Sequence, residues 1–273
     1  MKLNPEYINI ACGDSYIDGW RNFDYAPHSS AVTRANLLSK LPLADSEAEV
    51  VYSSHFIEHI PRDLLASFLS ECFRIIKSGG RLRLVLPDLE EMCGAYLSAR
   101  GRGEHDKADF LILEMLDQCV RVEIGGELGD FYARLQSSPA QHGEMIEFVR
   151  KRTGHEFQSI SSSMKGDWGR VFENPAQILG KFERLYCRAI LALLPSAFRR
   201  QNVSFGSVGE RHTWIYDFHT ISQHLKQAGF VHIERVTSST SNIVDFPFYP
   251  LDVTREGQPR KGLESMYIEA RKP

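Results

Sequence analysis

Short apolar runs alternate with turn residues over residues 5–90, at the spacing of strand–crossover–strand units. Tyr7-Ile8-Asn9-Ile10-Ala11, Arg21-Asn22-Phe23-Asp24, Glu49-Val50-Val51-Tyr52 and Arg81-Leu82-Arg83-Leu84-Val85-Leu86 read as four strands. Between the last two, Leu64, Leu65, Phe68, Leu69, Cys72, Phe73 and Ile76 recur at three- and four-residue intervals, which predicts a helix with one apolar face. Pro61 suits its first position, where a missing N–H costs nothing. Gly79-Gly80 would end it, because glycine takes the left-handed conformation freely.

From about 91 to 205 strand signals are scarce and helical patterns dominate, near 106–122, 140–152 and 175–199. The segment 177–200 is amphipathic, runs to Pro195 and is followed by Arg199-Arg200. It reads as a helix packed on the domain; its basic, apolar character also suits a peripheral approach to a membrane or lipid-linked substrate. The pattern then returns to strand and helix. Asp217 precedes a helix to Ala228, closed by Gly229, and Val231–Val236 and Ser265–Ala270 read as strands. The expected fold is therefore α/β: a doubly wound, Rossmann-like sheet from 1–90 and 206–273, with a helical insertion at 91–205 acting as a lid that selects the acceptor.

Composition narrows this little. The 273 residues carry a formal net charge of -3, so no basic excess argues for a broad nucleic-acid surface, and oligomeric state is left open. Five cysteines (Cys12, Cys72, Cys93, Cys119, Cys187) are odd in number and widely spaced, as reduced thiols are. The start Met1-Lys2-Leu3-Asn4-Pro5 lacks a signal-peptide run, and no apolar stretch approaches the ~20 residues of a membrane span. A cytoplasmic location is expected.

The first candidate chemistry is Ile8-Asn9-Ile10-Ala11-Cys12-Gly13-Asp14, a strand running into a glycine turn where backbone can approach a ligand. Asp24 ends the next strand, where a carboxylate can accept from both hydroxyls of a ribose. The interval from Gly13 to Asp24 is shorter than the ~20 residues of a dinucleotide fingerprint, which argues against NAD.

A longer series follows: Asn36-Leu37, Leu41-Pro42, the strand Val50-Val51-Tyr52, Ser53-Ser54-His55-Phe56-Ile57-Glu58-His59, then Lys77-Ser78-Gly79-Gly80. In this order the chain resembles class I S-adenosylmethionine (SAM)-dependent methyltransferases of the methyltransferase-11 type, in particular a bacterial branch associated with surface-glycan gene clusters. The resemblance covers 5–90 and resumes at Gly209–Phe218 and Glu264–Pro273. It implies an antiparallel C-terminal strand and SAM as cofactor. Ala11, Cys12, Gly13 and Asp14 would contact the methionine part, Asp24 the ribose, and Asn36 and Leu37 the adenine. Ser53, Ser54 and His55 would line the cofactor and the transferring methyl. The short Gly13–Asp24 interval implies a first helix reduced to a turn.

His55-Phe56-Ile57-Glu58-His59 also matches the H-x-x-E-H inverted zincin pattern. No third ligand follows at helical spacing, so a zinc peptidase is disfavoured. A Glu-His pair here binds Mg²⁺ in some methyltransferases, by resemblance, but no further carboxylates stand nearby in the sequence. Glu58 and His59 read instead as a hydrogen-bonded pair at a helix start, and no metal is expected.

In Glu210–Asp217 an extended chain would put His212, Trp214 and Tyr216 on one side. His212 is then a candidate general base, with His55 and Tyr216 beside it as catalytic candidates. Trp168, Trp214, Tyr132 and Tyr216 could stack on a sugar. The expected function is methyl transfer from SAM to an oxygen of an acceptor, a sugar hydroxyl in glycan or polysaccharide biosynthesis. A small-molecule methyltransferase for a quinone-like or amine acceptor, and a SAM-binding component without turnover, stand as alternatives.

Overall fold

The computed structural model of the chain describes residues 5–121, 125–157 and 211–273, together with 186, 190, 191 and 193–195. Most of the helix expected near 175–199, with Trp168, Arg199-Arg200 and Gly209-Glu210, lies outside the described residues.

Seven strands form one sheet: β1 (Tyr7–Ile10), β2 (Arg21–Asp24), β3 (Val32–Arg34), β4 (Ala48–Ser54), β5 (Ile76–Pro87), β6 (Val231–Val236) and β7 (Ser265–Arg271). Their order is β3-β2-β1-β4-β5-β7-β6. The pairs from β3 to β5 are parallel, and β7 runs antiparallel between β5 and β6. This is the doubly wound, Rossmann-like sheet with an antiparallel C-terminal strand that the sequence predicts.

Alternation along the strands feeds two cores. Ile8, Ile10, Val51, Leu82, Leu84 and Ile268 point to one face, where α1 (Arg62–Ile75) contributes Leu65, Phe68, Leu69 and Cys72 and α6 (Phe218–Gln227) contributes Ile221 and Leu225. Tyr7, Val50, Tyr52, Val85 and Tyr267 point to the other face. That face is covered by Ile17, Trp20, Ile243 and Phe246 from loops and by Leu251 from the short helix Phe248–Leu251. No helix joins β1 to β2, as the short Gly13–Asp24 interval implies. Two buried amides take over part of a helix's work of satisfying backbone: Asn9 Nδ2 donates to Ser15 O (2.9 Å), and Asn22 Nδ2 donates to Ile17 O and Trp20 O (3.0 and 3.1 Å).

Several boundaries differ from expectation. α1 begins after Pro61, which is extended and acts as the cap, and ends at Ile75. Gly79-Gly80 do not end it; they lie inside β5, beside the register shift opposite Ala48 and Val50. A Cβ on Gly80 would sit 2.7 Å from Glu49 O, so glycine lets β5 press against β4. The short strand β3 and the helices α2 (Leu89–Gly101) and α4 (Gly126–Ser137) carry no clear sequence signal. Apolar residues lie all round α2, and α4 starts on a glycine and contains Gly129, a poor helix former. α3 (His105–Val120) and α5 (Gly143–Thr153) match the expected stretches. Asp217 caps α6, accepting from Thr220 N at 2.6 Å.

Arg83 is 0% exposed in the middle of β5. Nη2 lies 2.7 Å from Asp252 Oδ2, and Nη1 lies 2.6 Å from Glu269 Oε1. The guanidinium also donates to Thr237 O (2.9 Å) and Thr240 O (3.1 Å) and lies over the Phe246 ring. Tyr52 Oη donates to Asp252 Oδ1 at 2.7 Å, tying β4 into the same network. Arg83→Met should leave Asp252 and Glu269 buried without their partner, costing about 3–5 kcal/mol in a urea unfolding experiment. A loss below about 1 kcal/mol would show the network to be structurally idle.

Candidate functional site

β1 and β4 pair in register from Tyr7↔Val50 to Ile10↔Ser53, so their carboxyl ends lie side by side. β2 lies on the other side of β1, which makes this the point where strand order reverses and where ligands enter open α/β sheets. Both strand ends lead into left-handed backbone: Ala11 (φ +57°) and Gly13 (φ +50°) after β1, His55 (φ +50°) after β4. Non-glycine residues are rarely held there, and such strain of about 1–3 kcal/mol clusters at ligand clamps.

The two ends flank a cavity of about 330 Å³, within the roughly 300–1,000 Å³ usual for small-ligand sites. Of the residues singled out from sequence, Ala11, Cys12, Gly13, Asp14, Ser54 and His55 line it. Asn9, Ser15, Tyr52, Leu251, Arg260 and Lys261 line it too and were not foreseen. Arg260 and Lys261 come from the loop before β7. That loop crosses the end of α5 backbone to backbone: Leu263 N donates to Lys151 O and Glu264 N to Arg152 O. Any Cβ on Gly154 or Gly262 would collide with the facing carbonyl at 2.1 Å. The basic pair ahead of Gly262 is visible in the sequence, but its place at the cavity is set by this distant backbone contact.

Asp24 is joined to the cavity through backbone. Its Oδ2 accepts from Gly13 N and its Oδ1 from Ala26 N, both at 2.9 Å. It therefore fixes the glycine turn, and each oxygen keeps a lone pair. Burial pushes the Cys12 thiol up to about 12, so it is a wall group and not a nucleophile. Other expected residues stand apart from the cavity. Ser53 is buried within β4. Leu37 packs into the core with Phe23 and Leu41, and Asn36 Oδ1 accepts from Leu38 N at 3.1 Å.

The segment 211–217 does not present one catalytic side. Trp214 is 41% exposed with the Arg62 guanidinium 4.0 Å from its ring centre, whereas Tyr216 is 1% exposed within the core. His212 is 5% exposed and does not line the cavity. It sits behind His55, edge-on to His59 with ring centres 4.9 Å apart. Glu58 joins them, with Oε1 3.3 Å from His55 Nδ1 and 4.0 Å from His59 Nε2.

Thus the third partner that the H-x-x-E-H spacing lacks arrives from another part of the chain. One ligand atom each from Glu58, His59 and His212 lie within 4.8 Å of one another. The expected helix-start pairing is also absent: Glu58 Oε1 and His59 Nε2 are 4.0 Å apart, and neither Glu58 oxygen has a hydrogen-bond partner among the described residues. Burial raises the Glu58 carboxyl to about 8. Burial lowers His59, and it brings His212 to about 3 with help from His59 and Arg121. His55 falls well below its usual value, through burial and then the charge of Lys261.

Gln118, Arg121, Tyr132, Thr153 and His155 line a second cavity of about 480 Å³, which shares Arg260 and Lys261 with the first. Tyr132 stacks on His155 at 4.3 Å. The insertion helices therefore meet the sheet's cavity across two basic side chains.

Residues 20–84 match the methyltransferase domain family. No curated protein matches the chain. Among solved structures, a SAM-dependent methyltransferase from Archaeoglobus fulgidus is 12% identical, covering 97% of this chain and 85% of its own, with a TM-score of 0.40. A SAM-dependent methyltransferase from Thermotoga maritima is 10% identical, covering 98% and 81%, with a TM-score of 0.39. Phosphoethanolamine N-methyltransferase 2 from Haemonchus contortus, in complex with SAM, is 10% identical, with a TM-score of 0.38; the alignment covers 100% of this chain and 50% of that one. The family match runs from the last residue before β2 into β5, and so takes in Asp24, Ser54 and His55.

Proposed function

We propose that the chain is a SAM-dependent methyltransferase acting on an acceptor oxygen, a sugar hydroxyl in glycan biosynthesis. The observation that carries this reading is the cavity at the strand-order reversal, flanked by the glycine turn and His55, within a chain whose residues 20–84 match a methyltransferase domain. SAM supplies a methyl group made electrophilic by its sulfonium.

The residues present fit that cofactor. Asn9 Oδ1 and Ser54 Oγ belong to cavity-lining residues and have no hydrogen-bond partner among the described residues, so they can take an ammonium and a hydroxyl. Arg260 and Lys261 offer cationic donors to a carboxylate. Asp24 holds the turn and keeps acceptor capacity for a ribose. Asn36 and Leu37 are given no part.

The second cavity suits the acceptor, because it adjoins the first and is walled by the insertion. Its basic residues favour an acceptor with negative charge, such as an acidic or phosphate-linked sugar. His55 is the proton acceptor in this scheme, being the one of His55, His212 and Tyr216 that lines the cofactor cavity with an unprotonated imidazole.

Calorimetry with S-adenosylhomocysteine tests the cofactor. The wild type should bind one equivalent, and Asp24→Ala should weaken binding at least about tenfold, the loss of a charged hydrogen bond. Unchanged affinity in Asp24→Ala would remove the cofactor assignment. A labelled-methyl assay tests the base. His55→Asn suits the left-handed backbone and should lower kcat about 10²–10⁴-fold with S-adenosylhomocysteine affinity kept. Full turnover would exclude His55.

A further inference from the structure

We infer that Glu58, His59 and His212 form a binding site for one divalent first-row transition ion, directly behind the cavity-lining His55. Four independent features of the structure point there.

The first is convergence. Three ligand atoms of the required kinds, two imidazole nitrogens and a carboxylate oxygen, lie within 4.8 Å of one another. The second is unmet need. Glu58 is 0% exposed, and neither oxygen has a hydrogen-bond partner among the described residues; His212 Nδ1 is also buried without one among them. Burying such atoms unsatisfied is costly, most of all for a charged group, and a bound ion would offset that cost.

The third is ring orientation. His59 Nδ1 lies 2.9 Å from Arg211 O, a carbonyl that can only accept. Nδ1 therefore carries the proton, and Nε2, the nitrogen beside Glu58, carries the lone pair. A ligand histidine donating its other N–H to a backbone carbonyl is the usual outer-shell arrangement of a metal site. The fourth is backbone pre-organisation. Thr213 N and Trp214 N both donate to Glu58 O, and Thr213 Oγ1 donates to Ile60 O. His212 N is held by Gln118 O. The segment bearing His212 is thus fastened to the turn bearing Glu58 and His59, and to α3, whatever fills the space between.

His55 adds a neighbour. Its Nδ1 lies 3.3 Å from Glu58 Oε1, and its Nε2 lies 2.8 Å from Ser265 Oγ. Two imidazoles and one carboxylate suit Zn²⁺, Co²⁺ or Ni²⁺ better than Mg²⁺, which prefers all-oxygen sets and keeps its water. Three protein ligands leave a position for an outside oxygen. His59, 14% exposed at its side chain, gives an entry path.

The test uses the full chain stripped with a chelator, then titrated with Co²⁺. One equivalent per chain should bind with the visible ligand-field absorption of a nitrogen–oxygen site, and Zn²⁺ should displace it. Glu58→Gln, His59→Ala and His212→Ala should each weaken Co²⁺ binding by more than about tenfold, the lower bound for even an outer-shell loss. Glu58→Gln keeps side-chain volume, and its melting curve checks the fold. No one-to-one uptake, or equal affinity and spectrum in a folded Glu58→Gln, would overturn the site. Calorimetry with S-adenosylhomocysteine on the chelated protein reads the cofactor cavity separately, so failure of one assignment does not disturb the other.

Discussion

A single buried guanidinium holds the sheet to its unusual second face. That face lacks a crossover helix between β1 and β2, and loops, with the short helix at Leu251, cover it instead. Arg83 recruits these loops. It reaches the carbonyls of Thr237 and Thr240 after β6, Glu269 on β7 and Asp252 before the cavity loop. Glu269 in turn accepts from Asn242 N, and Asp252 from Tyr52. An ion in this position is expensive to bury, so its partners are fully committed. The wall containing Leu251, Arg260 and Lys261 follows from that commitment, since Arg260 N itself donates to Asp252 O.

The cavity depends on the same arrangement in a second way. With no helix after β1, the chain must turn at once, and it does so through left-handed Ala11 and Gly13. Asp24 pins the turn from the neighbouring strand, and Asn9 and Asn22 hold the following loop. A short crossover therefore gives both an open glycine turn and a rigid one. A longer helix would have supplied its own amides; here side chains of β1 and β2 take that place.

What the sequence makes legible is what neighbouring residues determine. Gly13, Asp24, Ser54 and His55 directly follow or close short apolar runs, so local pattern places them near strand ends even where it misses the exact boundary. Asp217 as a cap follows from one residue and its successor helix. What is not legible is what distant segments bring together. Arg260 and Lys261 reach the cavity because two glycines allow backbone contact with α5. His212 meets Glu58 because Thr213 and Trp214 bond to Glu58 O, a contact no local periodicity encodes. The alternation of Glu210–Asp217 misleads for the same reason: those bonds hold the segment irregular, and Tyr216 turns into the core. Gly79-Gly80 misleads differently, because a glycine pair serves a tight strand approach as well as a helix end.

The insertion leaves and rejoins the sheet at one place. Asp88, after β5, bridges Tyr216, and Leu89 N donates to Tyr216 O. The chain thus departs from and returns to a clamped base. Closing a longer excursion adds little entropy, since the penalty grows only logarithmically with length. Such a clamp tolerates changes of length in the excursion, provided that α5 keeps its backbone contact with the loop before β7 and α3 its bond to His212.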